Sequence, residues 1–145
     1  MSKATLLAGG FGAGQAAKIC NNMLLAITMI GTCETFKMAE KLGLNAQNFF
    51  DISSQASGQS WSMTSYCPVP GPVPAAPSNR DYQPGFAGAM MLKDLKLSQD
   101  AAQSLDVTSP LGAAATMLFS MYCNEGNDGD DFSGIIRMLR GSKAE

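Results

Sequence analysis

Two groups of residues in this sequence could do chemistry. Lys18, Asn21 and Asn22 form the first, and Lys93 with Asp94 forms the second. Residues three and four apart share one side of a helix, so Lys18 and the two asparagines can crowd together. In such a set lysine can transfer a proton while an amide orients a substrate oxygen or carboxylate. A nearby helix N-terminus is mildly electropositive, which favours an anionic ligand and lowers a lysine pKa. A solvated polar face accounts for the same spacing equally well. The second group reads by itself as an ordinary amphipathic helix, with Met91, Leu92 and Leu95 towards the core and Lys93 and Asp94 at its border. The sequence contains no histidine. Mechanisms built on imidazole are thereby excluded, and proton transfer falls to lysine, a carboxylate, tyrosine, cysteine or water.

The glycines ahead of Lys18 pose a competing reading. Gly12-x-Gly14-x-x-Ala17 is one form of the turn that holds a dinucleotide pyrophosphate, and Glu34 lies near where the ribose-binding acid is expected. That turn belongs to a parallel sheet, whose buried strands are rich in valine and isoleucine. The valines here are Val69, Val73 and Val107, none in a strand-like run, and only Ala4 to Ala8 could form a strand before the glycines. A phosphate loop fails as well, because its lysine must follow the last glycine directly. What remains is helix, from Gln15 to about Leu42. Ala16, Cys20, Met23, Ile27 and Ile30 suggest its buried stripe, Gly31 is a weak spot and Gly43 is a C-terminal stop. At 1.5 Å per residue this is a rod of about 40 Å.

Further along, Asn45 predicts an N-cap for a short helix ending near Ser54. Residues 66–85 hold six of the seven prolines and predict an irregular, extended connection. Helical pattern resumes from Phe86 to about Leu105, and Ser109-Pro110 opens another helix to about Cys123. Asn124 to Asp130 reads as a polar loop, with Asp131 capping a last helix to Arg140. The expected fold class is all-α.

A chain of 145 residues suits one domain. Its net charge of −2 provides no basic field to attract nucleic acid. The longest strongly apolar run, Met23 to Ile30, is too short for a bilayer and no leader is recognisable, so no membrane partner and a soluble cytoplasmic location are expected. Cys20, Cys33, Cys67 and Cys123 contain no CxxC pair, so they are expected to be idle thiols and not a metal site.

Taken together, the segments resemble a known family. Gly9-x-x-Gly12-x-Gly14-Gln15-Ala16-Ala17-Lys18-x-x-Asn21-Asn22 resembles the catalytic motif of the β-hydroxyacid dehydrogenases. Gly85-Phe86 followed by Leu92-Lys93-Asp94-Leu95-x-Leu97 resembles their second motif, with Ser98 replacing the usual alanine. Ser57-Gly58-x-x-Trp61-Ser62 and Tyr66-x-Pro68-Val69-Pro70-Gly71 narrow the resemblance within the family. It runs from about Gly9 to Arg140.

The resemblance implies the helical C-terminal domain of the 6-phosphogluconate dehydrogenase-like type, with one long N-terminal helix. Residues 1–14 would be an interdomain lead-in, 15–140 the catalytic and dimerisation domain, and 141–145 a tail. The family's N-terminal nucleotide-binding domain is absent from the sequence, so NAD would be bound mainly by that domain. Lys18 would be the catalytic acid–base, and Asn22 with Asn21 would bind a small hydroxyacid substrate. Lys93 and Phe86 would contact the cofactor. A homodimer or higher homo-oligomer is implied, located in the cytoplasm or, in a eukaryote, in the mitochondrial matrix. Tartronate semialdehyde or glyoxylate chemistry and a non-catalytic dimerisation module stay open as alternatives.

Overall fold

The computed structural model describes residues 12–139. The expectations placed on Ala4 to Ala8, on Gly9, on the first part of the lead-in, on Arg140 and on the tail lie outside the described residues. Within them the fold is all-α: α1 is Ala13–Lys41, α2 Ala46–Ser53, α3 Trp61–Thr64, α4 Gly88–Ser104, α5 Pro110–Tyr122 and α6 Ile135–Leu139. Short 3-10 turns occupy Pro77–Arg80 and Phe132–Gly134, and a wide turn at Cys123–Asn127 follows α5. The only pairing of extended backbone among the described residues is one isolated bridge between Ala87 and Asp131. Among the described residues no strand follows α1, and Glu34 lies exposed within it, so the ribose-binding geometry considered for Glu34 does not arise.

The 29-residue α1 is the axis of the molecule, about 44 Å long at 1.5 Å per residue. By length and composition it could cross a membrane. Here it packs against α2, α3, α4, α5 and α6. Its buried residues are Ile19, Ala26, Met29, Thr32, Cys33, Phe36 and Ala39. This corrects the stripe read from the sequence. Cys20 is exposed, and Ala16, Met23, Ile27 and Ile30 are only half-buried. The helix has neighbours on several sides, so apolar residues mark its flanks as well as its centre. Gly31 does not interrupt the helix; it is exposed and a Cβ there would meet nothing.

The ends of α1 and α2 follow local rules. Gly43 takes a φ of 95°, and the amide of Leu44 reaches back to the Ala39 carbonyl at 2.9 Å, closing the last turn of α1. The Asn45 side chain accepts from the Asn48 amide at 2.8 Å. Ser109 occupies the N-cap position of α5, but its hydroxyl donates to Gln99 at 3.2 Å instead of capping.

The core gathers Met29, Cys33, Phe36, Met91, Leu95, Phe119, Tyr122, Phe132, Ile135 and Ile136. Each large apolar side chain removed from water here contributes about 1.5–3 kcal/mol. The proline-rich connection is held by side chains, since proline nitrogens cannot donate. Asn79 accepts from the Gly71 amide at 2.9 Å and donates to the Val73 carbonyl at 2.7 Å. Ser78 donates to the Cys67 carbonyl at 2.8 Å, and Tyr82 to the Pro68 carbonyl at 2.6 Å. The segment is therefore ordered, and it sets Tyr66 and Gly85 where the site needs them.

Candidate active site

Lys18, Asn21 and Asn22 all project from the first third of α1. Lys18 is exposed and stands one turn before Asn22, about 6 Å along the axis. Asn22 is half-buried. Its amide nitrogen donates to an Asp94 carboxylate oxygen at 2.7 Å, joining α1 to α4. Asn21 in turn donates to the Asn22 carbonyl oxygen at 3.2 Å. This short relay fixes which way the Asn22 amide faces and leaves it one uncommitted N–H.

Asp94 departs from the border position expected for it. It is only 2% exposed, because the α4 face that carries Met91 and Leu95 packs onto α1 and takes Asp94 with it. A carboxylate at that depth requires a donor, and Asn22 supplies one. Lys93, one residue earlier, points away and is exposed. It lines a separate shallow groove with Leu92, Lys96 and Cys123.

An open groove of about 270 Å³ lies beside Asn22, lined also by Leu25, Trp61, Tyr66, Gly85, Phe86 and Phe132. Its wall is aromatic. Trp61 stacks on Tyr66 with centroids 4.9 Å apart, and Phe86 meets Phe132 edge-on at 5.7 Å. Burial, then the hydrogen bond to Asp131, pushes the Tyr66 phenol well above its ordinary value of 10.0, so it stays protonated at neutral pH. The structure thus brings Asn22 and Phe86 to one groove, seats Asn21 behind Asn22 and Lys18 a turn away, and places Lys93 in the neighbouring groove. A second cavity of about 190 Å³, between the start of α1 and the end of α4, is lined by Ile19, Met23, Ala101, Leu105 and Val107 among others. That lining has no lysine or carboxylate to move a proton.

Sequence reading missed the residue that organises the groove wall. Asp131 was expected only as a helix cap, and it does accept from the Ser133 amide at 3.0 Å. Its other oxygen accepts from the Tyr66 hydroxyl at 2.7 Å and from the Gly85 and Phe86 amides at 2.8 and 3.0 Å. The neighbouring Asp130 closes the start of α4, where the Gly88 amide donates to its carbonyl at 2.8 Å in place of a side-chain cap. The sequence signal available was the Asp131-x-Ser133 cap alone.

With this geometry in place, comparison with known proteins is informative. Residues 12–139 match the family described as NAD-binding of NADP-dependent 3-hydroxyisobutyrate dehydrogenase. A probable 3-hydroxyisobutyrate dehydrogenase of Mycobacterium tuberculosis is 48% identical over 132 residues, 91% of this chain and 45% of that protein. The human mitochondrial 3-hydroxyisobutyrate dehydrogenase is 44% identical over 140 residues, 97% of this chain and 42% of that one. A solved structure of the Mycobacterium tuberculosis enzyme with L-serine superposes with a TM-score of 0.86 at 47% identity, covering 89% of this chain and 44% of that chain. A 3-hydroxyisobutyrate dehydrogenase from Salmonella typhimurium gives 0.76 at 27% identity, covering 88% and 42%. The chain spans less than half the length of these relatives. It belongs to the 3-hydroxyisobutyrate dehydrogenase family, and so to the β-hydroxyacid dehydrogenases.

Proposed function

We propose that this chain is the helical half of an NAD-dependent 3-hydroxyisobutyrate dehydrogenase, oxidising 3-hydroxyisobutyrate to methylmalonate semialdehyde in valine breakdown. The observation that carries this reading is the groove flanked by Asn22 and Phe86, one helical turn from Lys18. L-serine, held in the mycobacterial structure, has a hydroxyl on the carbon β to its carboxylate, as 3-hydroxyisobutyrate does.

Lys18 takes the proton from the substrate hydroxyl, and returns it in the reverse direction. The remaining Asn22 N–H donates to a substrate oxygen, with Asn21 and Asp94 holding the amide in place. The aromatic wall excludes water from one side of the reacting carbon, which strengthens both polar contacts. NAD supplies the hydride acceptor when bound. Phe86 would contact its nicotinamide end from this groove, and Lys93 would approach it from the neighbouring groove that it lines. The described residues contain neither a parallel sheet nor a pyrophosphate turn at a strand end, so most cofactor contacts fall to a nucleotide-binding half such as the relatives' greater length accommodates. Leu111, Met117 and Met121 are exposed on α5, which supports association of two copies through helices.

The test joins this chain to the nucleotide-binding half of the mycobacterial relative and follows NAD reduction with 3-hydroxyisobutyrate, glycerate and glycolate. Preference for 3-hydroxyisobutyrate supports the reading. Preference for either other acid assigns the chain to a sister enzyme, and no turnover of any returns it to a dimerisation module.

A further inference from the structure

Asp131 is more deeply placed than a helix cap requires. It has no exposed surface, and among the described residues no lysine or arginine forms an ion pair with it. Its carboxylate is instead neutralised by five hydrogen bonds. The Oδ2 atom serves the local cap, accepting from the Ser133 amide and from the Ser133 hydroxyl at 2.6 Å. The Oδ1 atom lies behind the groove wall and gathers donors from two distant segments that line it, Tyr66 and the Gly85–Phe86 peptide. A cap needs only the first set.

The Oδ1 set controls the groove's wall. Tyr66, Gly85 and Phe86 line the groove and bond directly to Asp131, and Phe132 is its chain neighbour. Trp61, the next lining residue, is stacked on Tyr66. Gly85 lies close against Tyr66, since a Cβ there would lie 2.6 Å from the Tyr66 hydroxyl. Hydrogen bonds to a charged acceptor are roughly twice as strong as neutral ones, and three of them converge on one oxygen. Asn22, another lining residue, is held by Asp94. Residues of the groove lining are therefore held by two buried carboxylates.

We propose that Asp131 is a positioning residue for the reaction groove, its Oδ1 atom fixing the Phe86 and Tyr66 rings beside Asn22. The proposal rests on the function proposed above for its consequence in catalysis, and on the hydrogen bonds alone for its consequence in structure. Small displacements of a reacting assembly have large effects on rate, so loss of this anchor lowers kcat/KM more than it lowers stability. Asparagine at 131 retains one oxygen but cannot accept on both sides, and its NH2 group would face the donors of one set.

The experiment compares Asp131→Asn, Tyr66→Phe and Ser133→Ala. Ser133→Ala removes a bond from the Oδ2 side only and serves as the structural control. On this chain alone, emission of the single tryptophan and exchange of the Gly85 and Phe86 amides report the wall directly. Asp131→Asn and Tyr66→Phe shift Trp61 emission, and Asp131→Asn speeds the two amides by on the order of tenfold or more relative to global exchange. Ser133→Ala lowers the unfolding midpoint without either change. On the chain joined to a nucleotide-binding half, Asp131→Asn lowers kcat/KM for the hydroxyacid by on the order of 10- to 100-fold, and the KM for NAD changes less. Should Asp131→Asn fail to fold, Tyr66→Phe carries the same test, with a smaller fall. Unchanged Trp61 emission and unchanged hydroxyacid kcat/KM in both variants, beside normal turnover of the parent, overturn the positioning role alone. A parent without dehydrogenase turnover overturns the functional reading, while the Trp61 and amide measurements still decide the anchor.

Discussion

The Asn22 amide on α1 and the Asp94 carboxylate on α4 meet at 2.7 Å across 72 positions of sequence, and this contact fastens one side of the groove. Asp94 is 2% exposed, so its oxygen has no ready substitute in solvent. Asn22→Ala leaves it without that donor and should destabilise the chain by about 1–3 kcal/mol. Asp94→Asn keeps a carbonyl oxygen for Asn22 and should cost less. Urea unfolding of both variants checks the order, and equal midpoints for Asn22→Ala and the parent would count against the contact.

Tyr122 imposes a second constraint. Its hydroxyl donates to the Asp131 carbonyl at 2.8 Å, and a Cβ on Gly134 would lie 2.2 Å from that hydroxyl. The ring is buried in the core and cannot swing aside. Gly134→Ala is expected to destabilise by about 1–3 kcal/mol through overpacking. A Gly31→Ala substitution, where the added carbon meets nothing, should instead be neutral or slightly stabilising. Thermal unfolding of the pair separates crowding from helix propensity.

Stability should fall on the alkaline side. Burial pushes the Cys67 thiol from 9.0 up to about 11. Burial, followed by the Asp131 hydrogen bond at Tyr66 and the Asp130 charge at Tyr122, pushes both phenols above 10.0. A folded pKa above the unfolded one means the unfolded chain releases its proton first. The contribution is complete below the unfolded pKa and is lost as pH rises through the folded one. Urea midpoints should therefore decline from about pH 9 upward, with Cys67→Ala flattening the first part of the decline. A midpoint independent of pH over that range would contradict the burial of these groups.

How much of this was legible in the sequence depends on the range of the interaction. Gly43, Asn45 and the cap at Asp131 were readable because each acts within a few residues of itself. The long helix and the ordered proline segment followed from propensity and from missing N–H groups. The buried stripe of α1 was read wrongly on its flank, since the sequence does not say from which sides α4, α5 and α6 approach. Asp94 and the Oδ1 oxygen of Asp131 were illegible for the same reason. Their partners lie 45 to 72 positions away. The roles proposed for Lys18, Asn21, Asn22, Lys93 and Phe86 came from motif resemblance, because spacing alone left Lys18 and the two asparagines on a polar helix face.

Association of two copies should be visible directly. Leu111 and Met117 are each 64% exposed on α5, and Met121 lies one turn further along. Light scattering at tens of micromolar (roughly the range in which a modest apolar interface forms) should return twice the chain mass. Leu111→Glu with Met117→Glu should return it to one, and a parent already monomeric would oppose the interface.

The central claim is that Lys18 moves the substrate proton beside an amide held by Asp94. Its most direct test is turnover of 3-hydroxyisobutyrate by the chain joined to a nucleotide-binding half, with Lys18 as found, Lys18→Ala and Lys18→Arg. Lys18→Ala should lower kcat by a factor on the order of 10² to 10⁴ with little change in cofactor affinity, and Lys18→Arg should not restore it, because guanidinium does not give up its proton. Near-normal turnover in Lys18→Ala would contradict the account and leave Lys18 as a charge on a solvated helix face.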